Sequence, residues 1–134
     1  MPVYSSTQQL EEVMATLFQR MTDAGLMDSG GHKMRIKINL TDPSAGAVLD
    51  LRKEPARALF GAAPGPFDLQ FTMPADTIHR IWLGQAGVRQ SMAAGELKVH
   101  GNPLKALSLR PIFENAKQIY PQVIKEYGIT TPTS

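Results

Sequence analysis

The hydrophobic period of this chain switches between about 3.6 and 2, and the order of those switches constrains the fold more than any other feature. Over residues 8–24, Leu10, Val13, Met14, Leu17, Phe18 and Met21 recur at helical spacing, with Glu11, Glu12, Gln19 and Arg20 off the stripe. Ser5 and Ser6 precede Gln8 and Gln9 by three residues, so either serine fits a capping box. Gly25 and Asp28-Ser29-Gly30-Gly31 end the helix. In Lys33–Leu40 the period becomes 2: Met34, Ile36, Ile38 and Leu40 alternate with Lys33, Arg35 and Lys37. Past the turn Thr41-Asp42-Pro43-Ser44, Leu49 and Leu51 alternate in Ala47–Lys53. A short strand at Arg57–Phe60 is expected inside a Pro/Ala/Gly-rich loop, Glu54–Pro66. Phe67, Leu69, Phe71 and Met73 alternate next, and Leu97 and Val99 last. Alternation in each strand gives one wet and one dry face, which predicts a mixed or largely antiparallel sheet with helices on one side.

Two short helices, Asp76–Leu83 and Val88–Ala94, separate the last two strands. Gly101-Asn102-Pro103 is a strong helix start, with Asn as N-cap and Pro in first position. Beyond Pro111 a helical tail carries Ile112, Phe113, Ala116 and Ile119, then Val123, Ile124 and Tyr127 after an expected break at Pro121. Without a repeat or linker, residues 1–134 are expected to form one α+β domain, with its core at about 8–110 and a helical extension at 111–129.

Composition removes several function classes. The chain has no cysteine, so disulfides and thiolate metal sites are excluded. Its net charge of +2 is too small, and its basic residues too scattered, to point to nucleic acid. No apolar run approaches the ~20 residues of a membrane span, and Met1 to Gln9 lacks a signal-peptide core, which together suggest a cytoplasmic protein. Asp76 and His79 have a spacing that could ligate a metal, but no third ligand is indicated, and Asp76 already suits a helix's first turn. His32 and His100 read as exposed. No Gly-x-Ser-x-Gly elbow occurs, and the Gly95–Pro103 spacing matches no phosphate-binding fingerprint. The expectation is therefore no enzyme, no metal and no cofactor.

The ordered series from Phe67 to Leu107, above all Gly95-Glu96-Leu97-Lys98-Val99-His100-Gly101-Asn102 followed by a helix, resembles the sterol carrier protein type 2 family. The strand pair upstream fits the same pattern, so the resemblance spans roughly 8–110. It implies a five-stranded sheet covered on one face by helices, with an apolar tunnel between the layers. It also implies non-enzymatic binding, or transfer, of a sterol, fatty acyl chain, quinone-like molecule or other lipid. The chain ends Thr-Pro-Thr-Ser, without the Ser-Lys-Leu-like signal of peroxisomal relatives, and its tail is longer than the basic family domain.

The expected lipid-binding residues, placed on dry faces near the sheet–helix seam, are Phe71, Ile78, Ile81, Trp82, Met92, Leu104 and Leu107, with Ile112 and Phe113 from the tail. Methionines 14, 21, 34, 73 and 92 supply adaptable apolar surface, although such stripes also fill ordinary cores. Lys33, Arg35, Lys37, Arg52 and Lys98 share the wet face with Asp50, Asp68 and Glu96: a solvated mixed-charge face, or a weak docking surface for anionic membranes. The alternative function is an interaction module whose apolar groove receives another protein chain or forms a homodimer. The tail is either a lid over an apolar opening or a fixed part of the core.

Overall fold

The structure is a computed structural model that describes residues 3–27, 33–52, 56–61 and 65–129; the side chains of Pro103 and Leu107 are outside the description. His32, expected to be exposed, and Lys53, expected in the second strand, lie outside the described residues. Helix α1 (Thr7–Asp23) is followed by β1 (Arg35–Thr41), β2 (Ala45–Asp50), β3 (Arg57–Phe60) and β4 (Leu69–Pro74). Then come α2 (Ala75–Trp82), α3 (Val88–Ala93), β5 (Lys98–Gly101), α4 (Pro103–Leu107) and α5 (Arg110–Glu126). The five strands lie in the order β3-β2-β1-β4-β5. The central β1–β4 pair is parallel, and the other three pairs are antiparallel. The α+β class and the mixed, largely antiparallel sheet thus stand as the sequence predicts.

Register explains why one face is dry. Ile36 pairs with Leu49 and Leu69, and Ile38 with Ala47 and Phe71, so apolar side chains meet across three strands. Every predicted member of the α1 stripe is buried, and Ser6 caps the helix by accepting from the Gln9 N–H at 3.1 Å. The Gln9 side chain accepts from Ser5 N–H rather than from Ser6, so the two serines divide the capping box. Asn102 caps α4, as expected, by accepting from Leu104 N–H. Gly101 ends β5 with φ +123°, and a Cβ there would lie 2.4 Å from the Asp68 carbonyl oxygen, so only glycine fits beside β4.

The tail differs from expectation. Pro111 and Pro121 do not divide it: α5 is one 17-residue helix with Pro111 in its first turn and Pro121 inside it. An interior proline costs about 3 kcal/mol or more. Apolar burial on both sides offsets that, with Ile112 and Ala116 before Pro121 and Val123 and Ile124 after it all in the common core. Pro121 itself is exposed, which keeps its ring clear of the helices on which α5 packs.

On the wet face, Asp50 binds Arg52 at 2.8 Å and lies 3.9 Å from Arg35. Hydrogen bonding to the Arg52 guanidinium, helped by Arg35, lowers its carboxyl to about 2. The Arg35 N–H, with Lys105 beyond it, lowers Asp68 as well. Arg35 and Lys37 lie 5.1 and 6.0 Å from the centre of the Phe67 ring. Glu96 pairs with Arg80 of α2. The cations at the middle of this face are therefore engaged with local partners.

Candidate functional site

The seam between the dry sheet face and the helices contains an apolar cavity of about 20 Å³. Phe18 and Met21 of α1, Ile36 and Ile38 of β1, Leu49 of β2 and Phe71 of β4 form its inner walls. Trp82 closes one side, while Leu109, Ile112, Phe113 and Ala116, at and beyond the start of α5, form the roof. All of these side chains are apolar, and none can move a proton or attack a bond. A volume of this size holds about one water, whereas small-molecule pockets typically measure about 300–1,000 Å³. The structure contains no tunnel of the expected kind among the described residues: aromatic rings occupy the seam. Phe71 meets Phe113 edge-on at 5.8 Å, and Phe18 meets Trp82 at 6.0 Å.

The structure brings Phe71, Trp82, Ile112 and Phe113 together on the cavity wall. Ile78 and Ile81 are fully buried in the same core but do not line the cavity. Two placements need correction: Met92 is 46 % exposed and Leu104 is 74 % exposed, so neither lies on the dry seam. The six-residue α3 buries only Ser91, leaving Met92 on its outer side, and Leu104 stands in the first turn of α4, next to the Asn102 cap. The side chain of Leu107 lies outside the described residues. Sequence reasoning placed Phe18, Met21, Ile36, Ile38 and Leu49 in the core without assigning them to the site. The signal was present, because Ile38 is on the same dry face as its partner Phe71.

A second feature gave no sequence signal. Behind Trp82, whose ring lies 5.0 Å from that of Tyr120, the Tyr120 hydroxyl hydrogen-bonds both the Tyr4 hydroxyl and His79 Nδ1, the latter at 2.5 Å. All three residues are buried. Burial raises both tyrosine hydroxyls and lowers His79, so the chain is neutral. His79 Nε2 has no hydrogen-bond partner among the described residues. Asp76 accepts from the Val3 N–H at 2.9 Å, so the residue weighed as a metal ligand instead anchors the N-terminal segment across α2. Among the described residues, no group of three or more His, Asp or Glu side chains could hold a metal.

Fold and site together define a class: an α+β domain with a five-stranded sheet, helices over one face and a wholly apolar interior seam. The SCP-2 sterol transfer family matches residues 15–114, and the chain belongs to that family. Among solved structures, the sterol carrier protein domain 2 of Helicoverpa armigera has a TM-score of 0.65 at 16% identity, covering 80% of this chain and 87% of that one. Sterol carrier protein 2 from Yarrowia lipolytica, in its apo form, has a TM-score of 0.52 at 24% identity, covering 78% and 77%. The sec-alkylsulfatase Pisa1 from Pseudomonas sp. has a TM-score of 0.55 at 20% identity; the match covers 66% of this chain but only 14% of that one, so there the fold is a small part of a larger enzyme. No curated protein sequence matches the chain. Among the described residues, no helix is long and apolar enough to cross a membrane.

Proposed function

We propose that this domain binds a lipid-like molecule, a sterol or a fatty acyl chain, in the seam between sheet and helices, without chemistry. The observation that carries this reading is the cavity wall, which is apolar throughout and is built from both layers of the fold. Family membership supports it. The closed cavity is the empty state, and ligand enters as Phe113, Phe18 and the roof move outward.

The bonds of α5 support a moving first half. Its second half is tied down by Tyr120, by Glu126 to Arg20 at 2.5 and 2.6 Å, and by Tyr127 to Thr16 at 2.8 Å. Its first half is held by apolar packing and, among the described residues, by a hydrogen bond that the Asn115 side-chain amide donates to the Leu26 carbonyl at 3.3 Å. At the junction the helix lacks the rung from residue 121 back to the Lys117 carbonyl, because Pro121 has no N–H. The roof half is therefore the lid and the second half is its anchor, which combines the two roles open to the tail.

Native mass spectrometry of the purified protein, followed by organic extraction, tests the reading. The expected result is a bound lipid, or saturable uptake of added palmitate or cholesterol that alters Trp82 emission. Trp82→Phe retains binding because apolar bulk is kept. Saturable uptake without a Trp82 response would place the ligand elsewhere, and no uptake of any lipid would overturn the reading.

A further inference from the structure

We infer that Val3 and Tyr4 form a strap over His79 whose release in mild acid unlocks α5 and lets the ligand go. The strap crosses α2 and reaches α5. The Val3 N–H donates to Asp76 at 2.9 Å, and the buried Tyr4 hydroxyl bonds that of Tyr120. The Tyr4 ring meets the His79 ring edge-on at 6.0 Å.

The hydrogens of this chain can be placed one by one. With His79 neutral, the Tyr4 hydroxyl donates to Tyr120, and the Tyr120 hydroxyl donates to Nδ1. Only Nε2 is then without a partner among the described residues. A proton taken up from water at Nδ1 reverses the order. Nδ1–H donates to the Tyr120 oxygen, the Tyr120 hydroxyl turns to Tyr4, and the Tyr4 hydroxyl loses its acceptor. Two buried donors, on Tyr4 and Nε2, then stand beside a buried charge. The charged groups that act on His79 are Asp76 and Arg80, both on α2, and burial outweighs the attraction of Asp76. Facing it from other elements are the two tyrosines. Strand β4, which packs on α2, carries no ionisable residue, and on α5 Lys117 pairs with Glu114 and Glu126 with Arg20.

Lifting the strap relieves this state. Water reaches Nε2 and Tyr4, and Asp76, one turn before His79, exchanges the Val3 N–H for the imidazolium. His79 then returns towards its ordinary 6.5, so below that pH the lifted state gains up to about tenfold in population per unit. Trp82, whose ring lies 5.0 Å from that of Tyr120, loses its fixed backing, and the cavity wall loosens with the anchor of α5. The consequence for ligand rests on the lipid-binding reading; the release of the strap does not.

Two measurements on the full chain test this between about pH 7.5 and 5.5, where histidine titrates. The first is the release rate of bound methyl palmitate, which has no ionisable group of its own. It should rise up to about tenfold per unit below pH 6.5. His79→Asn, which can accept from Tyr120 but cannot titrate, should flatten that rise, whereas His100→Asn, at an exposed site, should keep it. Tyr4→Phe should speed release already at neutral pH. The second is amide exchange over residues 120–126 in the ligand-free protein, corrected for the intrinsic effect of pH. Protection should fall in acid in the native chain and persist in His79→Asn. Methyl palmitate release that is independent of pH, or an acid response kept by His79→Asn, would overturn the inference while leaving lipid binding intact. Acid loss of protection in a protein that takes up no methyl palmitate would support the strap and count against the lipid reading alone.

Discussion

On one side of Trp82 the helical layer meets the sheet through aliphatic and aromatic side chains around a water-sized void. On the other side it encloses three polar groups in a fixed chain, Tyr4–Tyr120–His79. The two regions are built on the same helices, α2 and α5, but their physics differs. Apolar contacts are non-directional, so side chains on the cavity side can repack without stranding a polar group. Buried hydroxyl and imidazole groups have fixed partners, and each lost bond leaves a group that water cannot reach. One helix can thus be a movable roof at one end and an anchor at the other.

The largest expected effect breaks the cavity side. Phe71→Ala should cost about 3–5 kcal/mol in the empty protein, because a core ring leaves a void. Added palmitate should recover part of that loss by filling it, read as a shift in the urea midpoint. A midpoint that palmitate leaves unmoved would separate Phe71 from the ligand site. On the polar side, Tyr120→Phe strands the Tyr4 hydroxyl and His79 Nδ1 and should cost about 1–3 kcal/mol. Palmitate should not repair it, since the missing bonds are not in the cavity. Repair would mean that the two regions are a single site.

A third test uses pH. Burial depresses His79 in the folded state, so the unfolded chain takes up a proton that the native protein resists. The stability from neutral His79 is complete above its ordinary value of 6.5 and is lost as pH falls below it, towards the depressed native value. Denaturation midpoints between neutral and mildly acidic pH should show this slope, and His79→Leu should flatten it. An unchanged slope in the variant would assign it to other groups. The smallest effect is expected from Arg20→Gln: its ion pair with Glu126 is solvent-exposed and screened, so the midpoint should scarcely move. A large loss there would make that pair, rather than the polar chain, the main anchor of α5.

How much of this was legible in the sequence follows from the range of each interaction. The α1 stripe, the strand alternation and the Asn102 cap are local patterns, and the structure contains them within two or three residues of the expected limits. The prolines of the tail misled because their local cost is visible in sequence, whereas the burial that outweighs it is tertiary. Met92 and Leu104 misled for a related reason: short helices have too few turns to show which face is dry. The polar chain was invisible because Tyr4 and His79 are 116 and 41 residues from Tyr120, and no spacing rule joins them. The roof residues Ile112 and Phe113 were found through apolar spacing, but their closure over Phe71 was not.

The contrast between roof and anchor is tested most directly by amide hydrogen exchange along α5, with and without saturating palmitate. The account predicts that ligand changes protection over residues 109–117, where the helix covers the cavity, and leaves residues 120–126 as they were. Equal change along the whole helix, or none over residues 109–117 while palmitate is bound, would contradict it.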